Sequence, residues 1–165
     1  MVLEKDASAF AKGIDALGEF VSKGGLAMYT DWSMNNDYAA LFGVKWTGNH
    51  DMKQVKVMPP LDTDIKDPVD LQDPGYREFW SMGLAALEES TVVATFDKDE
   101  GAIVIGMKGQ TIVNGFLTDT LVNGGQGVQL FQNEINQLLP VPLPGTAVLI
   151  GSGLLGLAGL RRKWR

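Results

Sequence analysis

The sequence predicts an α/β domain followed by a C-terminal membrane-spanning helix. Three observations carry this. A helix-spaced segment stops at Gly24-Gly25 and leads straight into the strand-like LAMYTDW. Two β-branched runs flank Lys108-Gly109. The last stretch, VPLPGTAVLIGSGLLGLAGLRRKWR (141–165), sets an uncharged Gly/Leu run between prolines and four cations. A chain of 165 residues has room for one ordinary domain and an appendage.

Taken in order, residues 7–23 place Phe10, Ile14, Leu17 and Val21 at helical spacing. A glycine just past the last periodic residue is a helix stop, which Gly24 supplies. The N-terminal MVLEKDASAFAKGID reads as an ordinary amphipathic helix. Residues 26–32 read as a strand, and Asn35 or Asn36 can cap a short helix closed by Gly43. Residues 45–75 are loop-rich, with four prolines, and only 54–58 suggest a strand. Residues 76–89 read as partly helical and 91–96 as a strand. Residues 102–107 and 111–116 read as a hairpin across Lys108-Gly109. Last, residues 126–139 put Leu130, Phe131, Ile135, Leu138 and Leu139 on one helical face.

Helix–GG–strand, then strand, hairpin and helix is an α/β order. Three stretches, ALGEFVSKGGLAMYTDW (16–32), GAIVIGMKGQTIVNGFLTD (101–119) and VQLFQNEINQLL (128–139), resemble the C-terminal half of class I glutamine amidotransferase-like domains. The resemblance implies a partial flavodoxin-like sheet over residues 1–139 with flanking helices, few parallel strands and an open edge. It also implies that the first strands of such a domain precede residue 1.

The tail has its own logic. Residues 135–160 carry no charge, and Leu143 to Leu160 spans the minimum of about 17 apolar residues that a bilayer demands. Pro142 and Pro144 suit a helix's first turn, where a missing N–H costs little. Glycines are frequent in lipid-embedded helices. Arg161, Arg162, Lys163 and Arg165 stop transfer and stay cytoplasmic, with Trp164 at the interface. The alternative is a buried C-terminal helix, but a core helix seldom lacks a polar face and then ends in four cations. The order Val141-Pro142-Leu143-Pro144-Gly145, apolar span over about 145–160, and basic end over 161–165 resembles the PEP-CTERM sorting signal of Gram-negative bacteria, in its VPLPG variant. That resemblance implies an exosortase-type processing enzyme as partner. It implies passage through the inner membrane with the C-terminus cytoplasmic, then release to the cell surface or exterior. A matrix polysaccharide stays open as a further partner. Export also calls for a signal peptide, and the N-terminal residues contain no apolar stretch of that kind.

Composition excludes several chemistries. The formal charge is −6, and residues 1–160 hold ten cations against twenty acids, a balance of −10. Phosphate backbones would be repelled, so no nucleic-acid partner is expected. The absence of cysteine removes disulfides, thiolate metal ligands and a Cys nucleophile. The amidotransferase reaction needs a Cys with a His base, so that activity does not carry over and no catalytic residue is assigned.

Candidates for a site are few. Ligand crevices in open α/β sheets lie outside the carboxyl ends of strands. Asp31, Trp32 and Asn35 in TDWSMNND would stand there, unless Asp31 or Asn36 caps the next helix and Trp32 packs inward. His50, the only histidine, sits in TGNHD and reads as a solvated loop residue. Asp97, Asp99 and Glu100 lack the full calcium-loop spacing, and the acids of 62–73 read as a solvated loop. No phosphate loop, metal set or cofactor is expected. The expectation is a surface-delivered, non-catalytic domain. An envelope hydrolase using Asp31 with catalytic groups from a missing N-terminal half, or an unprocessed single-pass membrane protein, are the alternatives.

Overall fold

Leu17 and Val21 point inward from helix α1 (Ile14–Ser22), as their spacing demands. The helix ends in two backbone bonds, Gly24 N–H to Val21 O and Gly25 N–H to Phe20 O. This is the Schellman pattern, and it needs the left-handed conformation that Gly24 adopts at φ +87°. The computed structural model describes residues 2–4, 13–66, 68–71, 81–97, 100–122 and 125–139. The sorting motif, apolar span and basic end of 140–165 lie outside these residues. Among those described, no helix is long and apolar enough to cross a membrane.

The strands are β1 (Val2–Glu4), β2 (Ala27–Thr30), β3 (Val44–His50), β4 (Gln54–Val57), β5 (Val69–Asp70), β6 (Ser81–Ala86), β7 (Thr91–Thr95), β8 (Gly101–Gly106) and β9 (Thr111–Asn114). The main sheet runs β1-β2-β9-β8-β7-β4-β5. β1, β2 and β9 are parallel, and the remaining pairs along this order are antiparallel. Every side chain of β2 and β9 is buried, as expected for parallel strands covered on both faces. Alternate residues feed two cores. Met28, Ile103 and Ile112 meet Leu130 and Leu138 of helix α4 (Gly125–Leu138) on one face. Tyr29, Val104 and Val113 meet α1 and helix α2 (Asn36–Leu41) on the other. A short helix, α3 (Asp119–Val122), leads into α4.

Three readings of the sequence need correction. The N-terminal residues begin as strand β1, paired in parallel with β2 through Val2↔Met28, where the amphipathic pattern suggested helix. Sheet pairing overrides the local periodicity there. Residues 81–86 form strand β6 instead of helix. Its Met and Leu favour helix, but β3 pairs along it from Val44↔Ala86 to His50↔Ser81. The β3–β6 ribbon joins the sheet at Leu84↔Gly101 and adds Val44, Met82 and Leu84 to the second core. The stretch 45–75, where only 54–58 suggested a strand, holds most of β3 as well as β4 and β5, because pairing with β6, β7 and one another makes strands of residues whose own pattern is weak.

Asn35 is the N-cap of α2, its Oδ1 accepting from Asp37 N–H at 2.8 Å. Asn35→Ala is expected to cost about 1 kcal/mol, read as a lowered urea midpoint at unchanged slope.

Candidate functional site

β2 and β9 run side by side in register, so Thr30 and Asn114 end together and Asp31 N–H reaches Asn114 O at 3.3 Å. This carboxyl edge is where an α/β sheet places a ligand. Asp31 stands there, but it is only 3% exposed. Its Oδ2 accepts from Tyr29 O–H at 2.8 Å, and its Oδ1 accepts from Trp32 N–H at 2.7 Å and Ser33 N–H at 3.3 Å. The carboxylate is folded back on its own loop in an Asx turn, held by the tyrosine two residues earlier on the strand. Trp32 is half-buried, and Asn35 is spent on the cap. Asn36 takes a different role from capping: its Oδ1 accepts from Trp46 N–H at 2.8 Å and ties this loop to β3. The structure thus brings Asp31, Trp32 and Asn35 onto one loop and gives Asp31 and Asn35 architectural partners.

On the α4 face of the same edge lies a pair the sequence reading passed over. Asn114 Nδ2 donates to Glu134 Oε2 at 3.0 Å, and both residues are completely buried. Burial pushes the Glu134 carboxyl from 4.5 up to about 8, with the Asn114 bond pulling the other way. Asn114 Oδ1 and Glu134 Oε1 have no hydrogen-bond partner among the described residues. A signal existed. Leu130, Glu134 and Leu138 recur at steps of four, which sets an acid in the middle of the apolar stripe. Leu139, placed on that stripe by its spacing, is 59% exposed instead. Beside the pair, Thr30 Oγ1 and Thr118 Oγ1 approach to 3.3 Å.

A third group gathers near this edge. Met82 N–H donates to Gly115 O at 2.7 Å, which sets the start of β6 against the residue following β9. Across the ribbon from Ser81 is His50, which ends strand β3 and is no loop residue. His50 Nε2 lies 2.7 Å from Glu100 Oε2, a contact that becomes an ion pair when the imidazole is protonated. Thr47 O–H donates to Glu100 Oε1 at 2.5 Å. Gly83 makes room for this carboxylate: a Cβ there would lie 2.0 Å from Glu100 Oε1. Ser81 Oγ is buried with no partner among the described residues. Of the acids in DKDEG, Asp97 is exposed and Asp99 lies outside the described residues. No group of three or more His, Asp or Glu among the described residues is placed to hold a metal ion.

The sequence matches no protein-family model and no curated protein. Solved structures do resemble it. A GMP synthase-type protein from Thermoplasma acidophilum superposes with a TM-score of 0.57 at 12% identity, over 84% of this chain and 71% of that one. A ThuA-like protein from Bacteroides uniformis superposes with a TM-score of 0.59, also at 12% identity, over 83% of this chain and 68% of that one. Identity this low speaks for architecture alone. The chain has a mixed α/β sheet with flanking helices that resembles amidotransferase-like folds.

Proposed function

We propose that this chain is an exported protein whose C-terminal 140–165 is an exosortase-type sorting signal and whose amidotransferase-like domain is the non-catalytic cargo it delivers to the cell surface or exterior. The observation that carries the reading is the order of the tail: VPLPG, an uncharged Gly/Leu span, then the basic cluster RRKWR. With the basic end retained inside, the acidic body lies across the inner membrane. The carboxyl edge of the sheet agrees with cargo rather than catalyst. Asp31, on which an envelope-hydrolase reading would turn, is buried with both oxygens accepting bonds from its own strand and loop. Glu134, on α4, is fully buried. With no cysteine in the sequence, the amidotransferase nucleophile has no counterpart here.

The test is intact mass of the protein from its native envelope and from the medium. Loss of the residues after about Pro144 is the expected result. A C-terminus still ending in RRKWR in every fraction would overturn the sorting reading and leave an unprocessed single-pass membrane protein.

A further inference from the structure

The Glu134–Asn114 pair is unusual in what it leaves unpaired. One hydrogen bond is made, Asn114 Nδ2 to Glu134 Oε2. The two atoms left over, Glu134 Oε1 and Asn114 Oδ1, are each buried without a partner among the described residues. An ionised carboxylate only accepts, and so does an amide oxygen. In the charged state both atoms therefore stay unsatisfied in an apolar core, and an unsatisfied buried acceptor is destabilising. A single proton on the carboxyl changes this. The acid then has a donor on one oxygen and an acceptor on the other, while the amide has the complementary pair, and two bonds can close in one ring.

We infer that Glu134 is protonated in the folded protein and donates from Oε1 to Asn114 Oδ1, so that a reciprocal acid–amide pair seats helix α4 on the carboxyl edge of the sheet and makes that seating depend on pH. Among the described residues no charged group acts on the carboxylate, whose environment is set by burial and by the Asn114 bond. Helix α4 packs against α3, β5 and β9, and Asn133 and Gln126 tie it to the 61–66 segment, whose Asp62, Asp64 and Lys66 are exposed. β9 carries no titratable residue, and Asp70 of β5 is exposed and accepts from Gln54 Nε2 at 2.7 Å. The one titratable residue of α3 is Asp119, an acid, so that helix supplies no cation. α4 itself carries no second acid and no base. The face of α4 that carries Glu134 also sends Leu130 and Leu138 into the first core, with Met28 and Ile112 of the sheet.

The direction of the pH effect follows. The carboxyl titrates at 4.5 when solvated and at about 8 when folded. Below pH 4.5 both states hold the proton, and the contribution to stability is fully present. As pH rises from 4.5 the unfolded chain loses its proton first, and the contribution drains away until the folded state ionises near pH 8. A one-proton difference corresponds to about tenfold in the unfolding equilibrium constant per pH unit.

Glu134→Gln is the diagnostic variant, because an amide–amide pair makes the same two bonds with no proton to lose. Unfolding of the full chain is followed in urea from about pH 5 to about pH 9 for wild type and E134Q. The wild-type to E134Q ratio of unfolding constants is expected to grow about tenfold per pH unit and to level off above about pH 8. A ratio that stays constant over this range would overturn the inference. Infrared spectra of wild type alone give a second readout that needs no variant to fold. A protonated-carboxyl band present at about pH 6.5 and lost by about pH 9.5 is expected, and a spectrum showing only carboxylate at the lower pH would overturn the inference. Neither readout depends on the tail being processed, so the export proposal can fail without touching this one.

Discussion

Truncation of Phe116 to alanine is expected to remove about 3–5 kcal/mol of stability. Phe116 is fully buried two residues beyond the end of β9 and belongs to the core beneath α4. Its ring meets Phe96, just past the end of β7, edge to face with centroids 6.4 Å apart. Such a pair adds about 0.5–1.5 kcal/mol beyond the area it covers. The cluster that Phe116 belongs to also takes in Ile112 of β9, Leu121 of α3 and Leu130 of α4. Urea denaturation monitored by far-UV circular dichroism measures the loss. A cost below about 1 kcal/mol would mean that the site relaxes freely, contrary to the packing described here.

What the sequence revealed, and what it hid, divides along the range of the interactions. The elements written in local pattern were legible: the Gly24 stop of α1, the buried β2, the β8–β9 pairing and the apolar stripe of α4. Asn35 as a cap was legible too, since it precedes its helix with an oxygen that reaches Asp37 N–H. The β3–β6 ribbon was not. In β3 the alternation is broken by Gly48 at φ +150°, where the register with β6 shifts. β6 is composed of residues that suit helices, and only its neighbours make it a strand. His50 illustrates the same limit. Its polar flanks in TGNHD suggest solvation, and its partner Glu100 becomes adjacent only when β8 begins over Gly83. Asp31 was placed at the correct edge of the sheet, but its burial depends on Tyr29 pointing to the same side and on the turn of its own loop. Glu134 was hidden in a stripe that reads as hydrophobic, although an acid at its centre was the one residue whose presence there demanded a partner.

Gly115→Ala is expected to cost about 2–4 kcal/mol, combining a steric term of about 1–3 kcal/mol with the loss of a hydrogen bond of about 1 kcal/mol. The reason lies in crossing backbones. Gly115 N–H donates to Ala102 O at 2.8 Å while Gly115 O accepts from Met82 N–H at 2.7 Å, so this residue is clamped between β8 and β6. A Cβ at Gly115 would lie 2.0 Å from Met82 O and 3.2 Å from Met82 C. Those are main-chain atoms and cannot rotate away as a side chain could. The start of β6 must move, and with it the Met82 bond and the neighbouring Ser81–His50 end of the ribbon. Gly109→Ala is the internal comparison. At Gly109 a Cβ meets nothing within 4 Å, but φ is +92°, so the penalty is conformational, about 1–2 kcal/mol. Thermal or urea unfolding of the two variants separates crowding from strain. If G115A proved no less stable than G109A, β6 would not approach the end of β9 as closely as Gly115 requires. The carboxyl edge would then be open at the place where the ribbon now closes it.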